Sequence, residues 1–234
     1  MKEKKNNTIS EDKIFKKEKR IYKIIIAILF FFILIFILGV GFIVQRSLMS
    51  SIDKPIIYLY PEEETDILVK FKEVNKLTHT YPKYSDEGWN VLAKPNGDLI
   101  DLKTGRSLYS LYYESKNDIE LNMSVGFVVE GKNTISFLEE KLELLGLTER
   151  EANEFVIYWL PQMENNKYNF IYFATTEELN KYMPIEVIPE PDTCIRILMK
   201  FKPLDKYIEV EEQEIKTPER KGFVLVEWGG TRYE

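Results

Sequence analysis

The chain has a single cysteine, Cys194, and a single histidine, His79, among 234 residues. One cysteine excludes any disulfide within the chain, so whatever folds must be held by its core. One histidine excludes a zinc site built on two or more histidines, and any histidine-based triad would have to run through His79. The HExxH, GxSxG, GxGxxG and Walker patterns are missing too. Their absence removes the common metalloprotease, α/β-hydrolase and nucleotide-binding readings. No stretch rich in Gly, Ser or Pro marks a linker between domains, and there is no internal repeat. Nothing in the sequence calls for a metal or a cofactor.

What is abundant is apolar sequence at one end. Residues 24–44 read IIIAILFFFILIFILGVGFIV, opening on Ile24 and closing on Val44, and every one is apolar or glycine. At 1.5 Å per residue this makes about 31 Å of helix, enough for a hydrocarbon core of roughly 30 Å. A buried core helix of that length would show a polar face. The expectation is one transmembrane helix, with the lipid bilayer as its partner.

Orientation follows from charge. Residues 1–23 hold nine Lys or Arg against four acids, and the far flank offers only Arg46 and Lys54. The positive-inside bias places the N-terminus in the cytoplasm and everything after Val44 outside the cell membrane. A cleaved signal peptide fits less well, because its apolar region is about 7–15 residues long and QRSLMSS is a poor cleavage site. The expected organisation is a disordered basic cytoplasmic tail over 1–23, the span over 24–44, a short linker over 45–53 and an extracytoplasmic domain over 54–234.

Beyond residue 50 the chain carries 22 Lys or Arg and 34 acids, a net charge of −12. Such a domain is a poor partner for nucleic acid and, on net charge, for an anionic membrane surface. Its strands announce themselves by alternation. KPIIYLYP, from Lys54, has the composition of a buried strand, EEE follows as a turn, and TDILVKFKEV sets Ile67, Val69 and Phe71 on one face. GWNVLAK does the same with Trp89, Val91 and Ala93, then PNGD and KTG supply turns before SLYSLYYE. This first half reads as an antiparallel meander ending near GFVVEG.

The period then changes. Asn133 is placed as an N-cap, and Ile135, Leu138, Leu142 and Leu145 recur at helical spacing until Gly146. Thr148 and Glu151 form a capping box for a second helix with Ala152, Phe155, Val156, Trp159, Leu160 and Met163 on its stripe, and Pro161 is expected to kink it or end it near Leu160. Strands resume with YNFIYFA, TCIRILMKF, YIEVEEQEI and GFVLVEW. The expected class is α+β, a mainly antiparallel β-sheet with a central helical hairpin, preceded by the one transmembrane helix.

Taken together, KPIIYLYPEEET, TYPKYSDEGWNV, PNGDLID, GFVVEG, FLEEKLELLGLTEREANEFVIYWLPQME, KPLDKYIEVEEQE and GFVLVEWGGT resemble a bacterial family. Its members open on Lys-Pro-Ile/Val-Ile-Tyr-Leu-Tyr-Pro and end in Glu-Trp-Gly-Gly. The likeness covers about residues 54–231, and YYES at Tyr112 departs from it. It implies that the outer part is one exported or envelope-associated unit, and it implies no activity.

Paired carboxylates are the remaining enzymatic option, since glycoside cleavage needs an acid and a base or nucleophile about 5–10 Å apart. Glu227 interrupts the apolar FVLVEW just before Gly-Gly, and Glu114 ends LYSLYY. These two are the candidate catalytic residues, set against a structural Glu227 at a strand end, in solvent or paired with Arg220 or Arg232. Cys194 and His79 read as a packed side chain and a surface or structural one. The acids of EVEEQE, on a strand, point to alternate faces and make a solvated edge rather than a calcium loop. Thirteen Tyr and three Trp beyond residue 50 are the other signal. Trp228, Trp89, Tyr112 and Tyr113 are the candidate ligand-binding residues, because exposed aromatics stack on sugars and anchor protein contacts. The expected outer partner is a cell-wall glycan or an envelope protein.

Overall fold

A computed structural model of the chain describes residues 28–37, 51–116 and 123–233. Residues 28–37 form a helix, α1, with every side chain exposed. Among the described residues no helix is long and apolar enough to cross a membrane. The rest of the expected span, and the expected tail over 1–23, lie outside the described residues.

From residue 50 onward the chain forms a separate compact unit. It is a mixed α+β structure, mostly β-sheet. An eight-stranded sheet has the order β12-β8-β9-β11-β13-β1-β7-β3, and a five-stranded sheet the order β10-β2-β4-β5-β6. The strands are β1 (Ser51–Tyr60), β2 (Thr65–Phe71), β3 (Leu77–Tyr81), β4 (Trp89–Ala93), β5 (Leu99–Asp101), β6 (Ser107–Leu108), β7 (Leu111–Lys116), β8 (Val125–Glu130), β9 (Tyr168–Ala174), β10 (Ile185–Ile188), β11 (Thr193–Leu204), β12 (Glu211–Glu212) and β13 (Val224–Arg232). Three helices accompany them: α2 (Thr134–Leu144), α3 (Glu149–Met163) and α4 (Thr176–Tyr182). Pairing is antiparallel except for β11 with β13 and β12 with β8.

Alternation along β1 explains the layering. Ile56 and Tyr58 join a core shared with α2 and α3, whereas Ile57 and Leu59 join one shared with the five-stranded sheet. The large sheet is therefore covered by the helical hairpin on one face and by the small sheet on the other. A strand buried on both faces loses its polar alternation, which is why Ile56 to Tyr60 carries no charged residue. In β2, Ile67, Val69 and Phe71 are all buried; so are Trp89, Val91 and Ala93 of β4. The β4–β5 hairpin turns at Gly97, whose φ of 87° suits glycine, and a Cβ there would meet the Tyr60 ring at 2.6 Å.

Several expectations are corrected. The first half is not one meander: β1 and β2 belong to different sheets, and of the first-half strands only β2, β4, β5 and β6 lie in the small one, beside β10. SLYSLYYE divides into β6 and β7, and β7 leaves the small sheet to pair with β1. YIEVEEQEI contributes only the two-residue β12, because its acids repel one another and nothing buries them. Ile135 is 45 % exposed, and Phe137 takes its place against the core. Asn133 occupies the N-cap position of α2 without a side-chain cap bond.

Pro161 neither ends α3 nor stops it at Leu160, since the helix runs on to Met163. Proline here removes one hydrogen bond to the Ile157 carbonyl, and Ile157 is an exposed residue in the last turns of the helix, where the loss is cheapest. The Thr148–Glu151 capping box forms with both of its bonds. A matching box at Thr175 and Glu178 starts α4, a helix the strand pattern concealed.

Candidate functional site

Arg196 lies opposite Glu227 on the parallel pair β11–β13. Its neighbours Ile195 and Ile197 face the helical hairpin, so Arg196 faces the other way, toward the small sheet. That face is closed by α4 and the chain after it. Arg196 Nε donates to Glu227 Oε2 at 2.8 Å, and Nη2 donates to Glu227 Oε1 at 3.2 Å and to the Met183 carbonyl at 2.8 Å. Nη1 donates to Asn180 Oδ1 on α4, and the Arg196 amide donates to Thr176 Oγ1 at 2.9 Å. The Tyr113 hydroxyl reaches from β7 and donates to Glu227 Oε1 at 2.7 Å.

Glu227 is 2 % exposed and Arg196 1 %. Burial alone would lower the Arg196 pKa, but the Glu227 charge beside it holds the guanidinium above its usual range. Burial, then the Glu227 charge, pushes the Tyr113 hydroxyl well up, so it stays a neutral donor. Glu227 thus accepts three hydrogen bonds inside the core, and its partner is Arg196 rather than Arg220 or Arg232. Arg220 instead pairs with Glu151 at 3.0 Å and donates to the Gly146 carbonyl, fastening the chain before β13 to the link between α2 and α3.

Glu114 lies elsewhere, on β7 beside the sheet-edge strand β3. His79 Nδ1 lies 2.9 Å from Glu114 Oε2, and the Tyr112 hydroxyl donates to Glu114 Oε1. His79 is 71 % exposed in its side chain and Glu114 31 %. Burial and then the bond to Glu114 raise the Tyr112 hydroxyl above its usual value, and Asp53 and Tyr158 lie within electrostatic range of it. Lys54, whose φ of 52° is left-handed, sets its ammonium 4.7 Å from the centre of the Tyr158 ring and 5.8 Å from that of Trp228.

Of the candidate residues, then, Glu227 and Tyr113 come together in the core and Glu114 and Tyr112 at the sheet edge. Trp228 is fully buried against the hairpin, its ring 5.2 Å from Phe155. Trp89 is 3 % exposed in the other core and donates its indole N–H to the Pro82 carbonyl at 2.8 Å. No cleft gathers them. The residues that sequence reasoning missed are Arg196, Asn180 and His79 in its pairing with Glu114. The alternation of TCIRILMKF carried the signal for Arg196, and no local pattern carried one for the other two.

Among the described residues no group of three or more His, Cys, Asp or Glu is arranged to hold a metal. Cys194 sits half-buried beside Arg196, and burial pushes its thiol up to about 11, away from thiolate reactivity. The fold and these groups define a class, a three-layer α+β unit with a buried ion-pair centre and a histidine–glutamate–tyrosine group at an open sheet edge. Compared with family models, curated proteins and solved structures, the chain shows no match.

Proposed function

We propose that this is a single-pass membrane protein that displays a non-enzymatic binding or scaffold domain outside the cell membrane. One observation carries the reading. Glu227, Trp89 and Trp228, the residues with the chemistry to cleave or stack, have their polar atoms or rings turned into two separate cores. Their contribution is rigidity, and what the domain offers to a partner is its surface. The apolar run over 24–44, the charge asymmetry around it and the exposed helix over 28–37 support the anchor.

A second reading has its own observation. Glu114 contacts both His79 and the Tyr112 hydroxyl within reach of solvent, an arrangement that favours a carboxylate hydrolase of envelope material. One experiment separates the two. The purified chain is incubated with cell-wall glycans while thermal stability and bond cleavage are followed together. Stabilisation without cleavage supports binding. Cleavage that Glu114→Gln abolishes, with melting unchanged, replaces the first reading by the second.

A further inference from the structure

The helical hairpin turns one side away from the sheet, and a groove runs along that side. We infer that the groove between α2 and α3 docks a cationic amphipathic helix of a partner protein, an inference that rests on the reading of this unit as a binding domain.

The groove starts at the link between the helices and holds about 560 Å³. Leu147 and Val156 supply its apolar floor, and Glu139, Glu143 and Glu149 line it as exposed acids. At four-residue spacing Ile135 shares a side of α2 with Glu139, and Ile157 shares one of α3 with Asn153, a further lining residue. Ile135 is 45 % exposed and Ile157 65 %. The inner side of the hairpin is already filled by Leu138, Leu142, Phe155 and Trp159, all fully buried. The two isoleucines therefore add little to the core of the chain itself.

The acids add little either. Glu139 and Glu143 stand one turn apart on α2, where like charges repel, and Glu143 lies in the last turn, the end of the helix dipole that disfavours an anion. Only Glu149, in the first turn of α3, sits where the dipole suits it. The cations around them are engaged elsewhere. Lys141 pairs with Glu140 at 2.8 Å, Arg220 with Glu151 at 3.0 Å, and the Arg150 guanidinium lies 5.7 Å from the centre of the Tyr109 ring. Lys216 is exposed on the chain that reaches Gly146 through Pro218, but it is not a lining residue. Among the described residues none of the three lining glutamates has an ion pair.

A surface with an apolar floor, two isoleucines at one end and unpaired carboxylates along it is complemented by an apolar stripe flanked by cations. From Glu149 to Ile157 α3 rises about 12 Å at 1.5 Å per residue, which matches about two turns of a third helix laid along the groove. A second copy of the same face would set glutamates against glutamates.

The test uses the full chain in phosphatidylcholine nanodiscs and a fluorescein-labelled peptide of about 18 residues with a leucine stripe flanked by lysines. Empty nanodiscs give the background. Anisotropy should rise to saturation. Glu139→Lys with Glu143→Lys should weaken binding about ten-fold. Ile157→Ser should weaken it about ten-fold as well, with melting unchanged because the side chain is exposed. Asp86→Lys with Glu87→Lys, exposed between β3 and β4, should change it by less than about two-fold. No saturable binding, equal weakening by the two charge pairs, or equal affinity for a peptide with glutamates in place of the lysines overturns the docking and leaves the binding domain standing. A mass that doubles with protein concentration and reverts in Ile157→Ser makes the face a contact between copies and overturns it too. Cleavage of the peptide that Glu114→Gln prevents overturns the non-enzymatic reading and the docking together.

Discussion

Arg196 and Glu227 face each other across the parallel pair β11–β13, and the carboxylate they share with Tyr113 is sealed between the large sheet and α4. Taking two charges out of water costs several kcal/mol per ion, and only their mutual contact and the surrounding hydrogen bonds offset it. The pair is therefore worth little as net stability and a great deal as a constraint. It fixes the β11–β13 register and ties α4 to the sheet through Asn180 and the Met183 carbonyl. Removing one partner leaves the other charge buried and alone. Glu227→Gln or Arg196→Met alone should cost about 3–5 kcal/mol, and Arg196→Met with Glu227→Leu should recover most of the loss. Urea unfolding of the three variants measures this. A mild Glu227→Gln that kept the fold and removed an activity would instead mark Glu227 as catalytic.

Gly230 tests the packing under α3. A Cβ on it would stand 2.3 Å from the Trp159 ring, and Trp159 is wedged among Phe155, Tyr158 and Phe201 with no room to retreat. Gly230→Ala should therefore destabilise by about 1–3 kcal/mol although it adds a single methyl group. The comparison is Gly105→Ala, whose Cβ meets no atom within 4 Å and whose cost comes from its φ of +70° alone. Thermal melts of the two variants read the difference, and equal losses would show that Trp159 yields.

Much of this architecture was legible along the chain. Period-two alternation placed the buried faces of β2 and β4, and the Thr148–Glu151 spacing placed the start of α3. What local pattern does not contain is partnership. β1 and β2 are adjacent in sequence yet pair in different sheets, and β7 abandons its hairpin neighbour for β1, choices made by long-range burial. Arg196 shows the same gap on a single residue. Alternation says that it points away from Ile195 and Ile197, but whether it meets water or Glu227 depends on α4. That helix has seven residues and only the Thr175–Glu178 box to announce it.

The two capping boxes have unequal weight. At α3 the Thr148 amide donates to a Glu151 carboxylate that is fully buried and also bound by Arg220; at α4 the Thr175–Glu178 pair is exposed. Thr148→Ala and Thr175→Ala each lose one cap and should cost about 1 kcal/mol. Glu151→Gln should cost more than Glu178→Gln, because it also strands the Arg220 guanidinium at the Gly146 carbonyl. Chemical denaturation of the four variants checks the ranking, and equal costs at the two glutamates would show that Arg220 finds another partner.

Alkaline pH should unfold the chain by a route visible in two side chains. Cys194 and Tyr113 are both held neutral by burial, with folded pKa values above the unfolded ones. For such groups stability is complete below the unfolded pKa and is lost as pH rises through the folded one, because only the unfolded state releases the proton. For Cys194 the window runs from its usual 9.0 to about 11. Across it the loss is about 2–3 kcal/mol at 1.36 kcal/mol per unit. Tyr113 adds to the fall above its usual value of 10.0. Urea midpoints measured from pH 8 to pH 11 should therefore drop, more steeply past pH 10, and Cys194→Ala should flatten the first part of the curve. Parallel curves for the wild type and Cys194→Ala would place the thiol in contact with water.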